Sequence, residues 1–170
     1  MLIYIVIISA VITRFIPHMP NLAPITALAI FSGAYLPKKQ AVGITLAARF
    51  ISDVFLGFFS WPLMAAVYAS HLVGVLFGFW IKKNENHRWT KIFTSSLGVS
   101  LIFFLVTNFA FFYGTYDHNL TGIIAAYTNG LPFFRGTLLG DLGYTSVLFG
   151  SFEFVKWFLS QRSKFLIPNS

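Results

Sequence analysis

The 170-residue chain contains no cysteine, and acidic side chains are nearly as scarce, with five Asp and Glu against twelve Lys and Arg. The first absence excludes disulfides, thiolate nucleophiles and cysteine-bearing metal sites, and it says nothing about redox compartment. Charge as a whole is depleted. Asp, Glu, Lys and Arg make up 10% of the residues, where a soluble domain carries about a quarter. Reaction signatures are missing too: there is no Walker loop, no HExxH, no helix pairing carboxylates with a histidine and no serine elbow. We therefore expect no enzyme, no catalytic residue, no metal and no cofactor.

In place of charge stand long apolar runs. Val54 to Ile81 and Ile92 to Tyr116 hold no Asp, Glu, Lys or Arg, and a bilayer span needs only about 20 such residues. With 56% hydrophobic residues and a mean hydropathy of +0.74, the composition predicts an all-α, polytopic membrane helix bundle in a single integral domain, residues 1–170. Uncharged runs bounded by charge, Pro or Gly place six transmembrane helices at about 2–16, 24–36, 40–59, 62–81, 92–112 and 137–159. The first two are short, which predicts burial against neighbours or local thinning of the bilayer. The N-terminal MLIYIVIISAVITRF lacks a basic n-region and a small-x-small cleavage site, so it reads as a retained helix. No internal repeat is convincing.

Six spans put both termini and two of the loops on one side, together with Lys38, Lys39, Lys82, Lys83, Arg88, Lys91, Lys156, Arg162 and Lys164. The other side has only Arg14 and Arg135. The positive-inside bias then predicts cytoplasmic termini, and the net charge of +7 is explained by anionic lipid rather than by nucleic acid. The outward loops are 17–23, 60–61 and 113–136. The last is long and too apolar for disorder, which suggests a short helix folded back into the outer leaflet.

An ionisable group at membrane depth costs about 2.5–3.5 kcal/mol on insertion scales, so each needs a partner or a function. Arg49 and Asp53 lie four apart on one helix face, either as a structural pair or as an Asp held by Arg for a ligand. His71 stands beside the small-residue row Ala66, Ser70, Gly74 and Gly78, a predicted packing seam, and is either a hydrogen-bonded core histidine or a ligand contact. Glu153 and Lys156 sit near the cytoplasmic end, where lysine can snorkel. Asp141 is placed one turn into the last helix, where the helix dipole and Arg135 would favour its charge, or where a ligand would meet it. In RFIPHMPNLAP, Pro17, Pro20 and Pro24 forbid a continuous helix, His18 and Asn21 look placed, and Asn21 is the expected N-cap of the second helix. Asn108 and Tyr113 add polar groups at the same level. The candidate substrate-binding residues at the outer mouth are thus His18, Asn21, Asp53, Asn108, Tyr113, Arg135 and Asp141.

Several segments, PHMPNLAPITALAIFSGAYLP, SDVFLGF at 52–58, TNFAFFYG at 107–114 and LPFFRGTLLGDLGYTSVLFG at 131–150, resemble a family of small six-span proteins that look related to the substrate-binding (S) components of energy-coupling factor (ECF) vitamin transporters. The resemblance implies an S-component-like subunit of the bacterial plasma membrane that binds a small vitamin-like nutrient near the outer face. It also implies a partner T subunit driven by two ATPases. S components commonly present an Ala-x-x-x-Ala surface on the first helix; here Ala23 and Ala27 carry that spacing at the start of the second. Two other functions fit the residues less closely. An integral membrane enzyme or assembly factor could hold the phosphate of a lipid-linked substrate with Arg135 and His18, with Asp53 or Asp141 as base, and a structural subunit could dock a larger complex along the Ser70, Gly74, Gly78 seam.

Overall fold

The computed structural model describes residues 2–15, 21–83 and 86–166, with side chains as far as residue 161. His18, Pro17 and Pro20 lie outside the described residues. Six helices follow one another: α1 (Leu2–Thr13), α2 (Ile25–Tyr35), α3 (Lys38–Leu56), α4 (Trp61–Lys83), α5 (Arg88–Thr115) and α6 (Leu120–Leu166). The fold is all-α, with six helices and no strand among the described residues. Two of the helices, α4 and α5, are long and apolar enough to cross a membrane.

Local chemistry explains the boundaries. Helix α3 stops at Leu56, short of the expected residue 59, because Gly57 takes φ +101°, a conformation that suits glycine, and returns its N–H to the Asp53 carbonyl. Helix α4 opens on Trp61 with Pro62 in its first turn, where a missing N–H costs nothing. Asn21 is not the N-cap of α2. That position falls to Pro24, without a side-chain capping bond, while Asn21 adopts φ +61° and turns the chain three residues earlier. Asparagine tolerates this left-handed conformation better than most residues, which is what the position asks of it.

The largest departure is in 113–136. Instead of a long outer loop with a short helix folded back, α5 continues to Thr115, a short turn follows, and α6 begins at Leu120 and runs for 47 residues through Pro132. Gly130, Pro132 and Gly136 are poor helix formers, yet the segment stays helical and packs on α5. The Tyr127 hydroxyl donates to the Leu105 carbonyl, and Phe104 meets both Tyr127 and Phe134.

Helix α2 is the centre of the bundle. Residues 25–34 are all buried, and α2 packs against every other helix. The seam predicted on α4 is its main contact. A Cβ on Gly78 would collide with the Ile30 carbonyl oxygen, one on Gly33 with the Val75 carbonyl, and one on Gly74 would press on the Ala29 methyl at 3.0 Å. Absent side chains thus allow backbone-to-backbone approach. Hydroxyls fill the other inner interfaces, with Ser32 and Thr45 3.1 Å apart and Thr145 donating to Ser96 at 3.3 Å. Outward faces are apolar: Ile5, Ile8 and Ile12 on α1, Leu97, Leu101 and Leu105 on α5, and Val147 and Phe154 on α6 are all exposed.

Lengths then decide where the site lies. At 1.5 Å per residue α2 spans about 16 Å and α4 about 35 Å. Their lower ends are level, because Lys82 on α4 reaches the Leu36 carbonyl just past α2. The space beyond the N-terminus of α2 is therefore walled by its longer neighbours and filled by no helix among the described residues.

Candidate ligand-binding cavity

That space is a cavity of about 460 Å3. Each long helix contributes a stripe at helical spacing: Leu63, Val67 and His71 from α4, Phe103, Thr107 and Phe111 from α5, and Ala126, Gly130, Phe133, Thr137 and Asp141 from α6. Arg14, Asn21, Arg49, Asn108, Tyr116 and Asn129 complete the wall. Its floor is the start of α2, where Thr26 lies.

Asp141 is 1% exposed and carries its carboxylate into this floor. It accepts the Ser100 hydroxyl at 2.6 Å and the Thr26 hydroxyl as well. Neither of two expectations for it holds. It stands midway along α6, far from a helix N-terminus, and neither ion pair among the described residues joins it to Arg135. Close approach of the chain beside it depends on Gly140, since a Cβ there would sit 3.0 Å from the Leu22 Cα.

His71 lines the cavity from α4 and is 4% exposed, yet neither ring nitrogen has a hydrogen-bond partner among the described residues. The expected hydrogen-bonded core histidine is thus not what is found. The ring lies against Phe103, with centroids 5.6 Å apart. A buried polar group left without a partner costs about 1–3 kcal/mol, so a cavity-lining residue with two such atoms calls for a partner that the described residues do not supply.

Across the bundle, Arg49 and Asp53 form the expected ion pair, with Nη2 to Oδ1 at 2.8 Å and Nε to Oδ2 at 2.9 Å. The Tyr68 hydroxyl donates to Oδ2 at 2.9 Å, and the Arg49 guanidinium lies 5.5 Å from the Phe59 ring centre. Asp53 itself does not line the cavity; it holds Arg49, which does. Arg14 reaches the same wall, its Nε 3.5 Å from the Ser52 hydroxyl.

Of the sequence-derived candidates, Asn21, Asn108 and Asp141 meet at this cavity, and Asp53 stands behind it. Tyr113 and Arg135 do not reach it. Tyr113 is exposed and meets Phe109 and Phe112 edge-to-face and His118 at a tilt, and Arg135 is exposed on α6. His18 falls outside the described residues. Arg14, Thr26, Ser100 and Asn129 were missed as site residues. The four-residue spacing of Phe103, Thr107 and Phe111 was the available signal for the α5 wall. Among the described residues no group of His, Asp and Glu gathers to hold a metal ion.

A family model of unknown function, DUF6580, matches residues 1–163, nearly the whole chain. The protein belongs to the DUF6580 family. No curated protein and no solved structure matches it. For this DUF6580 member the cavity geometry therefore carries the functional argument. The Ala23 and Ala27 pair adds a constraint: Ala27 is fully buried in the bundle and Ala23 lines the cavity, so this pair forms no outward docking surface.

Proposed function

We propose that this DUF6580 protein is a multi-pass membrane protein that binds a small organic molecule in the cavity above α2, as the substrate-binding subunit for uptake of a vitamin-like nutrient. The observation that carries the reading is His71, buried in the cavity wall with both ring nitrogens unpartnered. The cavity volume of about 460 Å3 falls in the range of about 300–1,000 Å3 typical of small-molecule sites. The membrane part is supported by the arrangement of polarity. Hydroxyls, Asp53, His71 and Asp141 are inside, while Ile, Leu, Val and Phe are outside, and such broad apolar surfaces are covered by lipid or partners. The half-length helix α2, entered through the irregular backbone of residues 21–24, suits a binding site at membrane depth, because irregular backbone is tolerated there where it lines a cavity, as Asn21 and Ala23 do.

The uptake role includes docking on a T subunit driven by two ATPases, and with Ala23 and Ala27 turned inward that docking falls to another surface. The basic end carrying Lys38, Lys39, Lys82 and Lys83 is assigned to the cytoplasm.

Ala126 is 2% exposed and lines the cavity, so Ala126→Trp should fill it. Wild type and variant are purified in detergent and denatured, and the released small molecules are identified by mass spectrometry. The wild type should release one organic compound in near-stoichiometric amount and the variant none. Release of no compound, or of the same amount from both, would contradict the proposal.

A further inference from the structure

Resting on that reading of the cavity, we propose that its occupant is an aromatic ampholyte, with an anionic oxygen group held at Arg14, a cationic or N–H-bearing group held at Asp141, and a ring between. The charges stand on opposite sides of α2. Arg14 contacts Ser52 on α3 and shares that wall with Arg49, whereas Asp141 is on α6 and contacts Ser100 on α5. Helix α3 packs on α2 and α4, while α6 packs on α1, α2 and α5.

Each wall has unused bonding capacity of one kind. Arg49 is committed to Asp53 through two bonds, but Arg14 makes a single long contact to a hydroxyl and belongs to neither ion pair among the described residues. A guanidinium offers five N–H donors in a fork that matches a carboxylate, so an oxyanion is its natural complement. Asp141 accepts from two hydroxyls, which leaves further acceptor capacity on a carboxyl group that lines the cavity. His71 adds one nitrogen that donates and one that accepts when the ring is neutral. Phe103 and Phe111 of α5 and Phe133 of α6 also line the cavity, apolar ring surfaces on which an aromatic ligand stacks. A ligand with only one of the two groups would leave the bonding capacity of the opposite wall unused, whereas an ampholyte satisfies both.

The test uses the full chain in lipid nanodiscs, dialysed free of bound compound, with three probes that share one ring: 4-(aminomethyl)benzoate, benzoate and benzylamine. Calorimetric titration should show the ampholyte binding wild type at least about tenfold more tightly than either singly charged probe. Arg14→Gln should reduce its affinity to that of benzylamine, and Asp141→Asn to that of benzoate. The wild-type ranking needs no variant to fold. Benzoate or benzylamine binding as tightly as the ampholyte, or no probe binding at millimolar concentration, would overturn the assignment. If purified protein nevertheless releases a small molecule, the cavity reading survives and the ampholyte alone is lost. No release and no probe binding would remove both.

Discussion

Asp53 and Asp141 are each 1% exposed, yet their surroundings give them different tasks. Asp53 neutralises Arg49 through two bonds and accepts Tyr68, so Asp53→Asn leaves a buried guanidinium without its counter-ion. Breaking a buried pair in this way costs about 3–5 kcal/mol. Asp141 is held by hydroxyls alone, and an asparagine side chain still offers them a carbonyl oxygen, so Asp141→Asn should cost only about 1 kcal/mol. Thermal unfolding in detergent should therefore show a large loss for Asp53→Asn and a small one for Asp141→Asn; equal losses would contradict these roles. The sequence made both aspartates visible as costly groups in an apolar chain, and the spacing of Arg49 and Asp53 was enough to pair them. It left Asp141 with the wrong partner, because Arg135 is near in sequence whereas Ser100 and Thr26 come from other helices. Exposure of Tyr113 and Arg135 was hidden for a related reason: level along the bundle can be read from the chain, but direction around a helix depends on neighbours.

At the scale of the element, glycine marks the contact between α2 and α4. The sequence showed the row Ser70, Gly74 and Gly78 but not the facing Gly33, since small residues announce close approach without naming the approaching helix. Gly78→Ala should destabilise the bundle by about 1–3 kcal/mol, as the added methyl meets the Ile30 carbonyl. Gly150→Ala, on α6 with open space around it, should be neutral or stabilising by up to about 1 kcal/mol, because alanine is the better helix former. Melting temperatures of the two variants check this, and a tolerated Gly78→Ala would mean that the helices stand further apart. The extent of α6 was not legible. Gly130, Pro132 and Gly136 disfavour a helix on propensity, whereas contacts with α5 such as Tyr127 to Leu105 come from a distant part of the chain.

For the whole molecule, the short α2 turns a helical bundle into a vessel. Apolar runs bounded by charge were sufficient to find six helices, and the brevity of the second was plain from the prolines before it. Its consequence was not, because an unfilled space depends on the relative levels of helices that are distant in sequence. We propose that this vessel spans a membrane and opens away from the basic end. The absence of cysteine makes the direct measurement clean. Asn129→Cys lines the cavity and is exposed, whereas Lys83→Cys marks the basic end. In intact cells a membrane-impermeant maleimide should label Asn129→Cys and should reach Lys83→Cys only after permeabilisation. Labelling of Lys83→Cys in intact cells, with Asn129→Cys protected until permeabilisation, would contradict the account.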